Sequence, residues 1–394
     1  MRIPVVPFLI FFLVCLLADT YIYVALRKRS RGNNWPAACL VSSIVLYLWL
    51  IITVALPRRG SDDGQLRFIM WSLFGIISVY LPKIMFVLSD LIASVPLLFH
   101  RKRLRIVSKA GGVLAVVLFL AMWWGALFNR YNINVTECEV SVDDLPAAFD
   151  GYRIAQISDL HVGTYMSDTA FVEKLVDSVM ALKPDLVVFT GDIVNRRSDE
   201  MEPHWRVLSR LSAPDGVYAI LGNHDYGDYS DWDNDAMKGD NMCALYDYYG
   251  LMGWKLLLND HAFISRGNDS IALVGVENVG DPPFKVYGSL KDSYPDLSDG
   301  MVKILLSHNP AHWAMEIADN ENVNIALTLA GHTHAMQISV AGLSPAAWRY
   351  EHWGGLYYDK RGKNSLYVNI GAGTVGLPMR MGATPEITVI TLKR

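Results

Sequence analysis

Cysteine is scarce in this chain of 394 residues, with four in all. Cys15 and Cys39 fall inside long apolar runs, so only Cys138 and Cys243 remain for a soluble part. That excludes a disulfide-built scaffold and a thiolate-rich zinc site; a single bridge between the two is permitted outside the cytoplasm but not implied. A surplus of charge of one sign is missing too. The formal net charge is −4, from 35 basic and 39 acidic residues. No basic field is available to draw a polyanion, and no nucleic-acid partner is expected. The acidic stretch "DYGDYSDWDNDAMKGD" lacks the twelve-residue ligand spacing of a calcium loop and reads as a solvated loop over the candidate site. "GAGTVG", Gly371 to Gly376, fits GxGxxG after a strand, but Pro378 follows and no helix with a later acidic residue can complete a dinucleotide unit.

Apolar residues make up 52% of the chain, and they crowd into its first third. Val5 to Leu26, Trp35 to Leu56, Phe68 to about Phe99 and Gly111 to Phe128 are near or above the ~20 residues that span a bilayer. Four transmembrane helices are expected over residues 1–128, integral to the membrane. A cleaved signal peptide is the competing reading of the first run, but that run is long, Asp19 lies near its end and three more spans follow. Arg27, Lys28, Arg29 and Arg31 form one basic loop, and Arg101, Lys102, Arg103, Arg105 and Lys109 another. Both should be cytoplasmic, which places everything after Phe128 outside the cytoplasm, at the cell membrane. Pro82, Lys83 and Asp90 interrupt the third span; intramembrane charges are functional candidates, although a lysine can also snorkel to an interface.

After Asn129 the pattern becomes α/β: short apolar runs bounded by turn residues. Residues 129–151 read as a linker with a leading strand, and 152–394 as one domain. "YRIAQISD", "PDLVVFTGD", "GVYAILGNHD", "MVKILLSHN" and "VNIALTLAGHTH" are five strands, each ending at once in polar residues. Carboxyl ends of strands are where open α/β sheets place ligands. The residues are Asp159 and His161; Asp192; Asn223, His224 and Asp225; His308; and His332 with His334. Half of the ten histidines sit in these five places. With nitrogen and oxygen donors and no thiolate, the set suits manganese, zinc or iron.

In this order, DxH, GD, GNHD, a lone His and GHxH resemble the calcineurin-like metallophosphoesterases, over roughly Tyr152 to Leu392. The ending "GLPMRMGATPEITVITL" resembles the membrane-associated branch. The resemblance implies an α/β fold: a four-helix transmembrane region followed by a β-sandwich flanked by helices, with two divalent metal ions at its rim. Carried over, it puts Asp159, His161, Asp192 and His334 on one ion and Asp192, Asn223, His308 and His332 on the other, with Asp192 bridging. His224 would face the phosphate as a catalytic group, and Asp225 would hold its other ring nitrogen. Arg380 is a candidate phosphate clamp, against the alternative of an ordinary surface arginine. A water between two ions would lose its proton and attack phosphorus in line. Relatives often carry two glycines where this chain has Ala335 and Met336, and Met336 is expected at the substrate entrance. An Arg-Gly pair common in relatives is replaced within "VNIGAGTVG".

The expected activity is hydrolysis of a phosphodiester, pyrophosphate or phosphomonoester on a membrane lipid, a lipid-linked phosphate or an envelope polymer. The alternative is an inactive, metal-stabilised membrane sensor or binding module, whose mark would be degenerate ligand positions. The aromatic stretch "AAWRYEHWGGLYY" reads either as core packing or as a lip at lipid headgroups.

Overall fold

The computed structural model describes residues 5–29, 33–57 and 60–394; Arg31 of the first basic loop lies outside the described residues. The chain divides into residues 1–127 with Gly376–Met379, and residues 128–375 with Arg380–Arg394.

Among the described residues the first unit has four α-helices: α1 (Val5–Arg29), α2 (Trp35–Ala55), α3 (Asp63–Ser94) and α4 (Arg105–Leu127). All are long and apolar enough to cross a membrane. Leu9, Ile10, Leu48, Ile52 and Val113 stand exposed, as lipid-facing side chains must. Pro36 occupies the first turn of α2, where its missing N–H costs nothing. Asp62 caps α3 by accepting from the Gln65 amide at 2.7 Å. Pro82 lies inside α3 without ending it.

The intramembrane charges are paired across helices. Asp19 of α1 accepts from Lys83 Nζ of α3 at 2.9 Å, from the Tyr47 hydroxyl of α2 at 2.7 Å and from the Tyr80 hydroxyl at 2.9 Å. Lys83 therefore has a protein partner. Asp90 accepts from the Tyr21 hydroxyl at 2.6 Å and from Arg103 and Ser108. Arg103, assigned from sequence to a basic loop, is thus turned onto a buried carboxylate. Satisfying each carboxylate several times offsets the roughly 2.5–3.5 kcal/mol that an acidic side chain costs at the middle of a membrane helix.

The second unit is built on two six-stranded sheets. In chain order its elements are β1 (Asn134–Ser141), β2 (Arg153–Ile157), α5 (Ala170–Leu182), β3 (Leu186–Phe189), α6 (Trp205–Leu208), β4 (Val217–Ala219), α7 (Asp235–Met252) and β5 (Lys255–Leu256). There follow β6 (Asp260–Arg266), β7 (Asp269–Gly275), α8 (Leu290–Ser293), β8 (Lys303–Leu306), β9 (Leu327–Ala330), β10 (Gly355–Tyr358), β11 (Ser365–Val368) and β12 (Glu386–Lys393). One sheet runs β1-β12-β2-β3-β4-β5 and the other β10-β11-β9-β8-β7-β6. β2, β3, β4 and β5 are mutually parallel, as are β7, β8, β9 and β11.

Parallel strands covered on both faces read as continuous apolar runs, and "LVVF" and "LTLA" are buried throughout. Between the sheets lie Ile154, Leu186, Val188 and Ile220 from one side and Leu273, Ile304, Leu306 and Leu329 from the other. Val172, Leu175, Val176 and Val179 of α5 cover the outer face of the first sheet. Trp313, Ile317 and Leu290 cover that of the second. The result is the expected sandwich flanked by helices. The parallel strands β2, β3 and β4 of one sheet and β8 and β9 of the other each run directly into a polar loop.

Two of those loops touch backbone to backbone. Gly191, after β3, has φ +95°, and a Cβ there would lie 2.5 Å from the Gly222 amide nitrogen, after β4. Gly253 ends α7 with a similar φ of +73° but faces open space. Gly253→Ala should therefore cost only the left-handed penalty of about 1 kcal/mol, while Gly191→Ala adds an overlap and should cost about 3 kcal/mol or more. Unfolding of the two variants, followed in detergent, measures the difference; equal losses would mean that the two loops are not in contact.

Candidate metal centre

The polar loops after β2, β3, β8 and β9 bring Asp159, His161, Asp192, His308, His332 and His334 together, all buried. Their backbone is unusual: Asp159, His161, Asp192, His332 and His334 all have φ between +46° and +74°. A left-handed residue other than glycine costs on the order of 1 kcal/mol or more, and such strain persists where surrounding structure enforces it, most often at functional sites.

Two groups of donors form. Ligand atoms of Asp159, His161, Asp192 and His334 lie within 4.8 Å of one another, as do those of Asp192, His308 and His332. In the first group His161 Nε2 is 3.1 Å from His334 Nε2 and 3.6 Å from Asp192 Oδ2, and His334 Nε2 is 3.2 Å from Asp159 Oδ1. In the second, His308 Nε2 is 3.2 Å from Asp192 Oδ2 and 3.3 Å from His332 Nδ1. Asp192 belongs to both.

Whether this set fits ions can be judged from the donors themselves. Imidazole nitrogens facing each other across little more than 3 Å, beside carboxylate oxygens, make a poor hydrogen-bond network and a good ligand set. Asn223 adds a sharper sign. Its Nδ2 donates to the Tyr229 hydroxyl at 2.9 Å, while its Oδ1 is buried with no hydrogen-bond partner. A buried amide oxygen without a donor is costly, and the carbonyl oxygen is the atom Asn would offer to a cation. The residues present fit two divalent ions that share Asp192.

Backbone carbonyls fix the rings. His308 Nδ1 donates to Thr190 O at 2.7 Å, and His224 Nδ1 donates to Asn195 O at 2.7 Å. A carbonyl can only accept, so Nδ1 carries a proton and Nε2 is left facing outward. For His308 that nitrogen faces Asp192 Oδ2 at 3.2 Å.

Asp225 does not hold His224, contrary to the sequence expectation. Its carboxylate accepts instead from four backbone amides: Gly222 and Asp192 at 2.8 Å, Ile193 at 2.9 Å and Val194 at 3.2 Å. It ties the loop after β3 to the loop after β4 and is a positioning residue. Arg380 is neither a surface arginine nor a clamp open to substrate. It is fully buried and donates to Gly373 O at 2.7 Å, Ile370 O at 3.0 Å and Ala383 O at 3.1 Å. Its Nη2 also lies 3.2 Å from His334 Nδ1. All three guanidinium nitrogens are thus engaged by the protein.

Burial and charge compete across the cluster. Burial pushes Asp192 up, but the His308 and His224 rings outweigh it and hold the carboxyl well below its ordinary range. Asp159 is likewise held low against burial by His334. Burial pulls His308 down, yet the Asp192 carboxylate raises it to about 9. Burial and His308 push His332 to about 3, and burial and His224 push His161 well down. For Asp225, burial and Asp192 push up against four backbone N–H donors. Those four donors all require an acceptor, so the geometry accommodates the ionised form.

Several site residues carry no sequence motif. Tyr229 stacks on His224, centroids 4.1 Å apart, besides accepting from Asn223. It lies in the acidic stretch read as a solvated loop, where Asp228 is also tied to Lys238, Lys285 and Tyr287. The Tyr350 hydroxyl is 3.4 Å from His332 Nε2, and Phe284 packs edge-on to the same ring. The aromatic content of "AAWRYEHW" was the available signal for Tyr350. "GAGTVG" also finds its use: the Ala372 and Gly373 amides donate to Ser158 O and Asp159 O, clamping the first metal loop. Ala335 and Met336 have φ of +50° and +46°, the left-handed region that glycine enters most easily.

Comparison with known proteins agrees with this geometry. The family described as "Calcineurin-like phosphoesterase" matches residues 152–336, and "Probable Calcineurin-like phosphoesterase, transmembrane domain" matches residues 1–130. The chain is 33% identical over 272 residues to an uncharacterized metallophosphoesterase of Bacillus subtilis, YkuE, covering 67% of this chain and 86% of that one. It is 27% identical over 410 residues to a transmembrane protein with metallophosphoesterase domain of Danio rerio, covering 99% of this chain and 90% of that one. With both of its parts matched, the chain belongs to the calcineurin-like metallophosphoesterase family, in its membrane-anchored branch.

Proposed function

We propose that this protein is a two-metal phosphoester hydrolase that acts outside the cytoplasm on a lipid-linked phosphate, a phospholipid or a phosphate-bearing envelope polymer. The observation that carries the reading is the convergence of Asp159, His161, Asp192, His308, His332 and His334, five of them at left-handed backbone positions, together with a buried Asn223 oxygen that has no hydrogen-bond partner. One ion would be held by Asp159, His161, Asp192 and His334, and the second by Asp192, Asn223, His308 and His332. Bound manganese, zinc or iron would activate the nucleophile and neutralise charge on the phosphate.

The chain's own residues do the rest. His224, with Nδ1 engaged by Asn195 O, presents Nε2 for the leaving oxygen or a developing charge. Tyr229 holds that ring by stacking. Asp225 fixes the two loops that carry Asp192 and His224. Arg380 backs His334 and limits the ways its ring can turn. The substrate class follows from attachment. Four spans confine the domain to a membrane surface, where a tethered site gains through local concentration what it need not supply as affinity. The two basic loops favour the cytoplasmic side, which disfavours cytoplasmic nucleotide-sugar lipids.

Asp192→Asn should reduce bound metal from two ions to one or fewer per chain and lower hydrolysis at least about a hundredfold; full occupancy by elemental analysis with activity retained would refute the bridging role. His224→Ala should keep both ions and lose roughly a hundredfold to a thousandfold in rate. Metal loss in that variant would move His224 into the ligand set. For sidedness, Asn268→Cys should react with a membrane-impermeant thiol reagent in intact cells while Lys102→Cys is protected. The opposite pattern would reverse the orientation and bring nucleotide-linked lipids back as substrates.

A further inference from the structure

From Ala335 to Trp348 the chain has fourteen residues without a charged or titratable side chain, and they leave directly from the metal-site residue His334. Their most forward part is a tight turn. Val340 and Leu343 exchange both backbone hydrogen bonds, at 2.9 and 3.0 Å, and Ala341 and Gly342 between them have φ of +51° and +78°. Turns of this shape in water favour Asn, Asp and Gly. Here the four residues are Val, Ala, Gly and Leu, all exposed. Beside the turn, Ser344 caps a short 3-10 turn, Pro345–Trp348, whose last residue is the most exposed of the large apolar side chains named below: Trp348 is 92% exposed, Leu343 77%, Val340 59% and Met336 41%.

The projection is firmly mounted. Ser344 Oγ donates to Ala335 O at 2.7 Å, Gln337 exchanges hydrogen bonds of 3.0 Å with Val375, and the Ser339 amide donates to Met381 O at 2.8 Å. A fixed, uncharged, apolar point differs from a mobile loop that merely happens to contain leucine. Single exposed apolar residues need no explanation, but four large ones within one fixed, uncharged segment do.

We propose that Val340, Leu343 and Trp348 form a wedge that dips into the headgroup and upper acyl region of the bilayer in which the chain's own helices lie, so that the metal site meets phosphates at the membrane surface. This rests on the hydrolase reading above. The occupant is argued from the chain. α4 ends at Leu127 and β1 begins at Asn134, so the link can reach at most about 25 Å, and a membrane surface is always within range of the domain. Tryptophan beside aliphatic residues is the composition that settles at such a boundary; Arg349, which follows, is paired with Asp281. A partner protein would find no polar rim among the fourteen residues to give it register, whereas a bilayer asks for none. The path is short: Val340 lies six residues beyond His334.

The test uses the full chain, reconstituted in phosphatidylcholine–phosphatidylglycerol vesicles. In a background without the native cysteines, an environment-sensitive fluorophore is placed at Leu343→Cys, at Trp348→Cys or at Leu251→Cys, an exposed apolar site on α7. Quenching by lipids brominated on the acyl chain should be at least about threefold stronger at 343 and 348 than at 251, with the reverse order for aqueous iodide. Equal quenching at all three sites overturns the wedge. So does protection at 343 and 348 that ignores brominated lipid and disappears as protein is diluted into lipid, which would show a second copy as the occupant. A second arm compares substrates in the Leu343→Asp/Trp348→Asp variant. Turnover of soluble bis(p-nitrophenyl) phosphate should stay unchanged, while turnover of vesicle-borne phosphate lipid falls about tenfold or more. Unchanged lipid turnover in that variant refutes the wedge and leaves the hydrolase reading intact. Insertion at 343 and 348 in a protein that cleaves only soluble esters supports the wedge and refutes the lipid substrate.

Discussion

Two carboxylates, Asp159 and Asp192, lie in the interior of the domain without access to water, and the surrounding structure answers to that. Burying a charge is tolerated only when it is paired and hydrogen-bonded. Four histidines close the space around the two acids, and a third acid, Asp225, is stabilised by the amides of four residues rather than by any cation. Those amides are available because Gly191 and Gly222 let the loops after β3 and β4 meet backbone to backbone. The strained torsions of five site residues are another part of the same arrangement. Sandwich, loops and glycines together hold like charges closer than they would otherwise remain, an arrangement that divalent cations reward.

Much of this was legible in the sequence, for a physical reason. A strand buried on both faces must be apolar throughout, so its end is marked sharply by the first polar residue, and five such ends named the donors Asp159 to His334. What was not legible came from atoms that every residue has. Thr190 and Asn195 orient His308 and His224 through carbonyl oxygens, which no side-chain pattern announces. Asp225 was misassigned because its neighbour His224 looked like its partner. Adjacent side chains leave a loop in different directions, and the one at 225 turns back onto amides thirty residues earlier. Arg380 reads as a phosphate clamp because a guanidinium matches phosphate oxygens; only the fold shows three carbonyls converging on it. Tyr229 was hidden among acidic residues, where an aromatic ring reads as incidental.

In the membrane part, length and apolarity gave the four helices, but pairing could not be read. Lys83 and Asp19 are 64 residues apart, and neither position carries a local sign of the other. Arg103 shows the converse: it counted as one basic residue in a loop, yet it is engaged with Asp90.

The contact between Asp19 and Lys83 bears on how the protein is made. α1 leaves the ribosome carrying its aspartate long before α3, the source of the lysine and of Tyr80, has been synthesised. Through that interval the first helix is an incomplete membrane segment, carrying a side chain that lipid disfavours by about 2.5–3.5 kcal/mol at mid-span. Tyr47 of α2 reaches that aspartate first, and the lysine only once α3 has been made. The polar contacts of α1 are thus completed by the third helix and those of Asp90 by residues beyond it, so the order of synthesis sets the order of pairing.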